Sequence, residues 1–123
     1  MAEYVRDNTA PDDRLLVWGH GGGINFLAQR EAPTRYLYQY ALIMPGYSTD
    51  VLVREFLDNL RLEKPSLIID SNDPRFPPLD SLDSYSGYIP SNFEEVLEFI
   101  NDSYHIEKEI KGHKIYRINN IEE

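Results

Sequence analysis

Two short stretches, Leu15–Trp18 and Leu67–Ile69, contain no polar residue at all. Strands that face water on one side alternate in polarity, whereas strands covered on both faces read as unbroken apolar runs. Helical patterns lie between and around these runs, and an alternation of this kind implies crossover connections and a sheet with helices on both faces. The expected fold class is therefore α/β: a three-layer α/β/α sandwich around a Rossmann-like, mainly parallel sheet of about five strands, ending in an antiparallel hairpin whose last strand lies at the edge.

The remaining elements follow from spacing. Ala2–Asn8 reads as helix without a capping residue ahead of it, as the end of a longer helix would. Ile24–Gln29 has helical spacing, and Arg35–Tyr40 alternates as a further strand. Leu52, Phe56 and Leu60 recur on one face of a helix that Thr49 or Asp50 caps and Pro65 ends. Residues 71–90 hold four prolines and no consistent period, so they form a long loop of the kind that usually carries function or moves. Ser91 and Glu94 have the spacing of a capping box before Phe93, Val96, Leu97 and Ile100. Tyr104–Ile110 and His113–Ile118 flank Lys111-Gly112 as a β-hairpin. Repeats and a second domain boundary are not visible, and residues 1–123 read as one domain.

Charge narrows the function. Lys and Arg number 12 against 21 Asp and Glu, a net charge of −9. Nucleic-acid binding requires a cationic surface, and so does docking on anionic lipid heads, so neither partner is expected. Cysteine is absent, which removes disulfides, thiolate metal sites and a cysteine nucleophile. No cofactor is implied.

In α/β folds ligands gather where the strands end. Three segments are expected at that edge: Gly19–Gly23, Asp70–Asp73 and the loop Ser81–Tyr88. His20, Gly21, Gly22, Gly23, Asp70, Ser71, Asp73, Tyr85 and Tyr88 are the candidate ligand-binding residues. The glycines follow a strand and open a helix, as phosphate-binding turns do, but Ile24 stands where a dinucleotide fingerprint needs glycine or alanine. A flexible turn is the plainer reading of that cluster. His20, Ser71 and Asp70 are a candidate hydrolytic group, although no nucleophile elbow accompanies them. Asp70, Asp73, Asp80 and Asp83 suggest Ca²⁺, but their spacing matches no EF-hand, and a solvated acidic loop accounts for them. No metal site and no catalytic residue are expected. Tyr36, Tyr38 and Tyr40 are read as packing under a helix rather than as a sugar-stacking platform.

Several segments carry a family resemblance. Tyr4–Gly19, Ile24–Arg30, Pro33–Tyr38, Pro65–Ser71 and Ile110–Arg117 together resemble the soluble C-terminal domain of prokaryotic GT-C membrane glycosyltransferases, of the protein-mannosyltransferase and aminoarabinose-transferase type. The resemblance implies a parent enzyme that moves sugar from a polyprenyl-phosphate donor, with its acidic catalytic residues in a membrane part that this sequence does not contain. It implies a non-catalytic accessory domain outside the cytoplasm, partnered by the membrane-embedded part of the same polypeptide. Shaping the acceptor side, or binding part of a glycan or polypeptide acceptor, would be its work. A stand-alone module for phosphate, nucleotide or sugar ligands is the alternative.

Overall fold

The structure is a computed structural model that describes residues 1–19, 22–33, 50–83, 85–87, 89–90 and 92–119. Eight elements occur among them: α1 (Ala2–Asn8), β1 (Leu15–Trp18), α2 (Gly22–Ala28), α3 (Asp50–Glu63), β2 (Leu67–Asp70), α4 (Phe93–Ser103), β3 (Tyr104–Ile110) and β4 (His113–Ile118). The expected strand at Arg35–Tyr40 lies outside the described residues, as do the three tyrosines on it.

The four strands form a mixed sheet in the order β1-β2-β4-β3. Only β1 and β2 are parallel, with Trp18 opposite Asp70. β4 runs antiparallel to β2 on one side and to β3 on the other. This overturns the five-stranded, mainly parallel, Rossmann-like sheet. The last strand also does not take the edge: β4 inserts between β2 and β3, and β3 lies outermost. Burial explains the exchange. β4 carries Ile115 and Tyr116, both buried, whereas β3 offers His105-Ile106-Glu107-Lys108-Glu109, all exposed. An edge strand rich in charge resists pairing with another chain.

Each sheet face has its own core. On one face Leu16, Trp18, Ile68 and Tyr116 meet Phe56 and Leu60 of α3, Phe93 and Ile100 of α4, and Phe76 and Leu79 of the long loop. On the other, Leu15, Val17, Leu67, Ile69 and Ile115 meet Val5 of α1 and Ala28 of α2. Consecutive residues of β1 and β2 thus serve opposite cores, which is why both runs are wholly apolar. Trp18 is the centre of the first core, with ring centroids 5.7 Å from Phe56, 5.3 Å from Phe76 and 5.4 Å from Phe93.

Local signals fixed most boundaries. The hairpin turns at Lys111 and Gly112, which have φ of 51° and 83°, the paired positive values a tight hairpin requires. A register shift between Ile106 and Lys108 interrupts β3. The extra residue lets Glu107 and Lys108 both reach Tyr4 of α1: the tyrosine hydroxyl donates to Glu107, and the Lys108 ammonium lies 5.3 Å from the ring centroid. α4 starts at Phe93 behind Asn92, which has φ 63° and makes no side-chain cap bond. Ser91, the first residue of the expected capping box, lies outside the described residues. No described helix is long and apolar enough to cross a membrane.

Candidate functional site: a carboxylate-lined cleft at the strand ends

The C-terminal ends of β1 and β2 adjoin, and the long loop folds back over them. Asp70 ends β2 and is 7% exposed. Its Oδ1 accepts from the Asn72 amide at 3.0 Å and its Oδ2 from the Leu79 amide at 3.1 Å. One carboxylate therefore ties both ends of the 72–79 segment. Burial pushes its pKa up, the two amides pull it back, Asp80 adds to the rise and Lys114 opposes it. The Trp18 indole closes the same loop from within, donating to the Pro77 carbonyl at 2.8 Å. A loop expected to be functional or mobile is pinned to the core at Phe76, Pro77 and Leu79, all buried. Prolines confine the backbone, and the buried apolar residues between them supply the anchoring.

Outside this clamp lies a cleft of about 410 Å³, lined by Asp70, Asn72, Asp80, Ser81, Glu109 and Lys114 among others. Register builds its floor: Lys114 of β4 is opposite Asp70 of β2 and Glu109 of β3. Cross-strand partners share a face, so an acid, a base and an acid stand in a row across three strands. The Lys114 ammonium pairs with Asp80 of the loop at 2.5 Å. That hydrogen bond, more than the ammonium's charge, holds the Asp80 carboxyl below its ordinary pKa and raises that of Lys114.

The expected site residues divide. His20, Gly21 and Tyr88 lie outside the described residues. Gly22 and Gly23 are the first residues of α2, and a Cβ on Gly23 would meet nothing within 4 Å. Close backbone approach to a ligand is the reason a phosphate-binding turn needs glycine, and no contact within the protein itself requires glycine at Gly23. The constrained glycine is Gly19, with φ +106° and the Ser71 Oγ only 2.2 Å from where its Cβ would be.

Ser71 fills that space as a structural donor. Its hydroxyl and its amide both donate to the Trp18 carbonyl, at 2.8 and 3.0 Å. A hydroxyl spent on a backbone carbonyl is not poised as a nucleophile, so the hydrolytic grouping loses its serine. Asp73 is held by Arg75, whose Nε and Nη2 approach its two oxygens at 3.0 and 2.8 Å. The Tyr85 hydroxyl donates to the Arg75 carbonyl at 3.2 Å, and its ring occupies the space above Gly87. Burial is the main cause, and the Asp73 charge the second, of its raised pKa.

Thus, of the expected residues that are among the described ones, Asp70 lines the cleft, while Ser71, Asp73 and Tyr85 brace the loop beside it. Glu109 and Lys114 were missed as site residues. Their signal was present: they flank the hairpin turn at positions that pair across it. Among the described residues no group of three His, Cys, Asp or Glu is close enough to hold a metal ion. His105 and His113, both at the hairpin, bond to the Asn119 side chain and the Lys111 carbonyl. Compared with protein-family models, with curated proteins and with solved structures, the chain matches none.

Proposed function

We propose that this chain is a non-catalytic binding domain that presents its strand-end cleft to an acceptor, as an extracytoplasmic part of a GT-C membrane glycosyltransferase. The observation that carries the binding role is the cleft itself: about 410 Å³, lined by polar side chains, on a floor set by the register of three strands. Sites built on sheet strands hold their geometry better than sites on free loops. The non-catalytic reading is supported by the use of Ser71 and Asp70, whose polar atoms hold backbone groups. The membrane parentage rests on the segment resemblance alone.

Two measurements test it. The reading frame ahead of Met1 should encode hydrophobic helices. Sugar transfer by the full-length parent, assayed with and without residues 1–123, should lose acceptor affinity with little change in turnover at saturating acceptor. A reading frame that starts at Met1 overturns the parentage, and an unchanged acceptor KM overturns the accessory role.

The stand-alone binding module survives as a second reading for sugars, because the cleft is lined with hydrogen-bonding groups. It loses support for phosphate and nucleotides. Three carboxylates line the cleft against one ammonium, and that ammonium is already paired.

A further inference from the structure

We infer that the other end of β4 borders a second site, a slot for a free apolar α-amino acid. The ligand's side chain enters against Phe99 and Ile118, its carboxylate meets Lys64 and its ammonium meets Asp102. The slot shares no lining residue with the strand-end cleft, and it stands independently of the function proposed for that cleft.

Packing makes the slot. The last turn of α4, the end of β4 and the residue after α3 converge around a cavity of about 130 Å³. Phe99 and Ile118 pack on the first core but stay half-buried, and their uncovered sides form its apolar lining. Hydrogen bonds fix the walls to one another. The Asn119 backbone amide donates to the Ser103 carbonyl at 2.8 Å and its side chain to the Asp102 carbonyl at 3.3 Å, which ties the end of β4 to α4. The Tyr104 hydroxyl donates to the Pro65 carbonyl at 2.5 Å, which ties the residue after Lys64 to the start of β3. Walls held in this way keep their shape before a ligand arrives.

Two opposite charges border this apolar slot without using each other. Lys64 and Asp102 both line it, and among the described residues neither the ammonium nor the carboxylate has a hydrogen bond or an ion pair. Neighbouring opposite charges elsewhere on the sheet do pair, Arg117 with Glu107 and Lys114 with Asp80. Both placements are also locally unfavourable. Lys64 has φ of 47°, a left-handed cap where glycine or asparagine is the usual residue, and it precedes a proline. Asp102 lies in the last turn of α4, where the helix dipole disfavours an anion and no basic residue accompanies it. A ligand ammonium beside Asp102 supplies the missing cation.

Size and charge together select the ligand. An apolar cavity of roughly 150 Å³ holds a benzene-sized group, whereas drug-sized ligands occupy roughly 300–1,000 Å³. The slot therefore takes one side chain of the leucine or phenylalanine class. One cation and one anion beside it match a zwitterion. An alkyl carboxylate would leave Asp102 unanswered, and an alkylamine would leave Lys64 unanswered. Phe99 also lines a wider cavity of about 440 Å³ with Arg61, Glu95 and Glu98, the path that a polypeptide ending in the slot would take. A peptide has no ammonium at its C-terminal residue, and that difference separates the two sources of the same side chain and carboxylate.

The test is a titration of the isotope-labelled chain with L-leucine, followed by the amide shifts of Phe99, Ser103 and Asn119. Saturable binding is expected with Kd of about 1 mM or tighter. Leucinamide lacks the carboxylate, N-acetyl-leucine the ammonium and glycine the side chain, and each should bind about tenfold more weakly or worse. Lys64→Gln should abolish the difference between leucine and leucinamide, and Asp102→Asn that between leucine and N-acetyl-leucine, because each variant removes the group that reads it. Both positions are exposed, and neither side chain has a partner to lose. Glu3→Gln, on α1, should leave leucine binding unchanged. Absence of saturation overturns the inference. So does glycine binding as tightly as leucine, or a leucinamide difference that persists in Lys64→Gln. Glycyl-leucine binding more tightly than leucine overturns it in favour of a polypeptide C-terminus.

Discussion

Asp70 and Lys114 are opposite one another across β2 and β4, yet the Lys114 ammonium turns to Asp80, 34 residues back along the chain, at 2.5 Å. Two acids at one end of the sheet consequently respond to pH in opposite senses. The Asp80 carboxyl is lowered by its bond to Lys114, while that of Asp70 is raised by burial. A lowered folded pKa contributes stability above the unfolded value, lost as pH falls through the folded one. A raised folded pKa does the reverse, and its contribution is lost as pH rises through it.

Asp70→Asn should therefore be most damaging at low pH, where wild-type Asp70 is neutral in both states. The gap between the variants should narrow as pH rises from the ordinary aspartate value of 3.8 through the raised one. Urea unfolding at a series of pH values reads this directly, and a gap that widens with pH contradicts the assignment. Asp70→Ala strands the buried Leu79 amide and leaves the Asn72 amide to solvent, and should cost about 1–3 kcal/mol.

Asp80→Asn should behave in the opposite way. Wild type gains from the Lys114 pair above the carboxylate range and loses that gain on acidification, so the two proteins should converge below it. Both partners are more than a third exposed, so screening limits the effect at neutral pH to under about 1 kcal/mol. High salt should shrink it further, as measured by the urea midpoint at low and high ionic strength.

Gly19→Ala should be disruptive at a position with no apolar contact to lose. It combines a φ of +106° with a Cβ placed 2.2 Å from the Ser71 Oγ. The backbone strain alone is about 1–3 kcal/mol. Ser71→Ala in the same chain should recover only part of the loss, because the φ strain remains and the bond to the Trp18 carbonyl is gone. Thermal melts of the single and double variants separate the two contributions.

The chain has one tryptophan, and it is fully buried. Its emission should be blue-shifted in the native state, and should move to the red with the same midpoint as the backbone signal if the loop and core unfold together. Trp18→Phe keeps a ring among Phe56, Phe76 and Phe93 but abandons the Pro77 carbonyl. A cost of about 1–3 kcal/mol is expected for the stranded acceptor, alongside faster amide exchange at Leu79.

Arg30 shows why burial outranks apparent charge pairing. It is 8% exposed and donates to the Ala28, Gln29, Arg6 and Thr9 carbonyls and to the Thr9 hydroxyl. These carbonyls belong to the C-terminal ends of α1 and α2, where the helix dipoles favour a cation. Arg30→Met should cost about 3 kcal/mol or more, since several carbonyls lose their donor at once. Glu31→Gln, which removes a partner of Arg14 that is 81% exposed, should cost under about 1 kcal/mol. Chemical denaturation of both variants ranks them.

Neighbouring residues were enough to determine the two buried strands, α1, the helix ending before Pro65, and both arms of the terminal hairpin. Apolar runs, helical spacing and turn chemistry act over a few residues, and no distant contact was needed to read them. The place of Asp70 at a strand end, where it lines the cleft, was also legible, because it closes an apolar run. Strand order was decided only by tertiary structure: whether β4 or β3 lies beside β2 depends on which of them fills the cores between distant helices, and Ile115 and Tyr116 won that place over a charged β3. The same choice made the cleft, since only β4 beside β2 brings Lys114 opposite Asp70 and carries Glu109 in on the next strand. Side-chain roles were settled there too. Ser71 and Asp70 have the atoms of a reactive pair, but the Trp18 carbonyl and the Leu79 amide needed partners once withdrawn from water, and that need, with the turn at Asn72, took their hydrogen bonds.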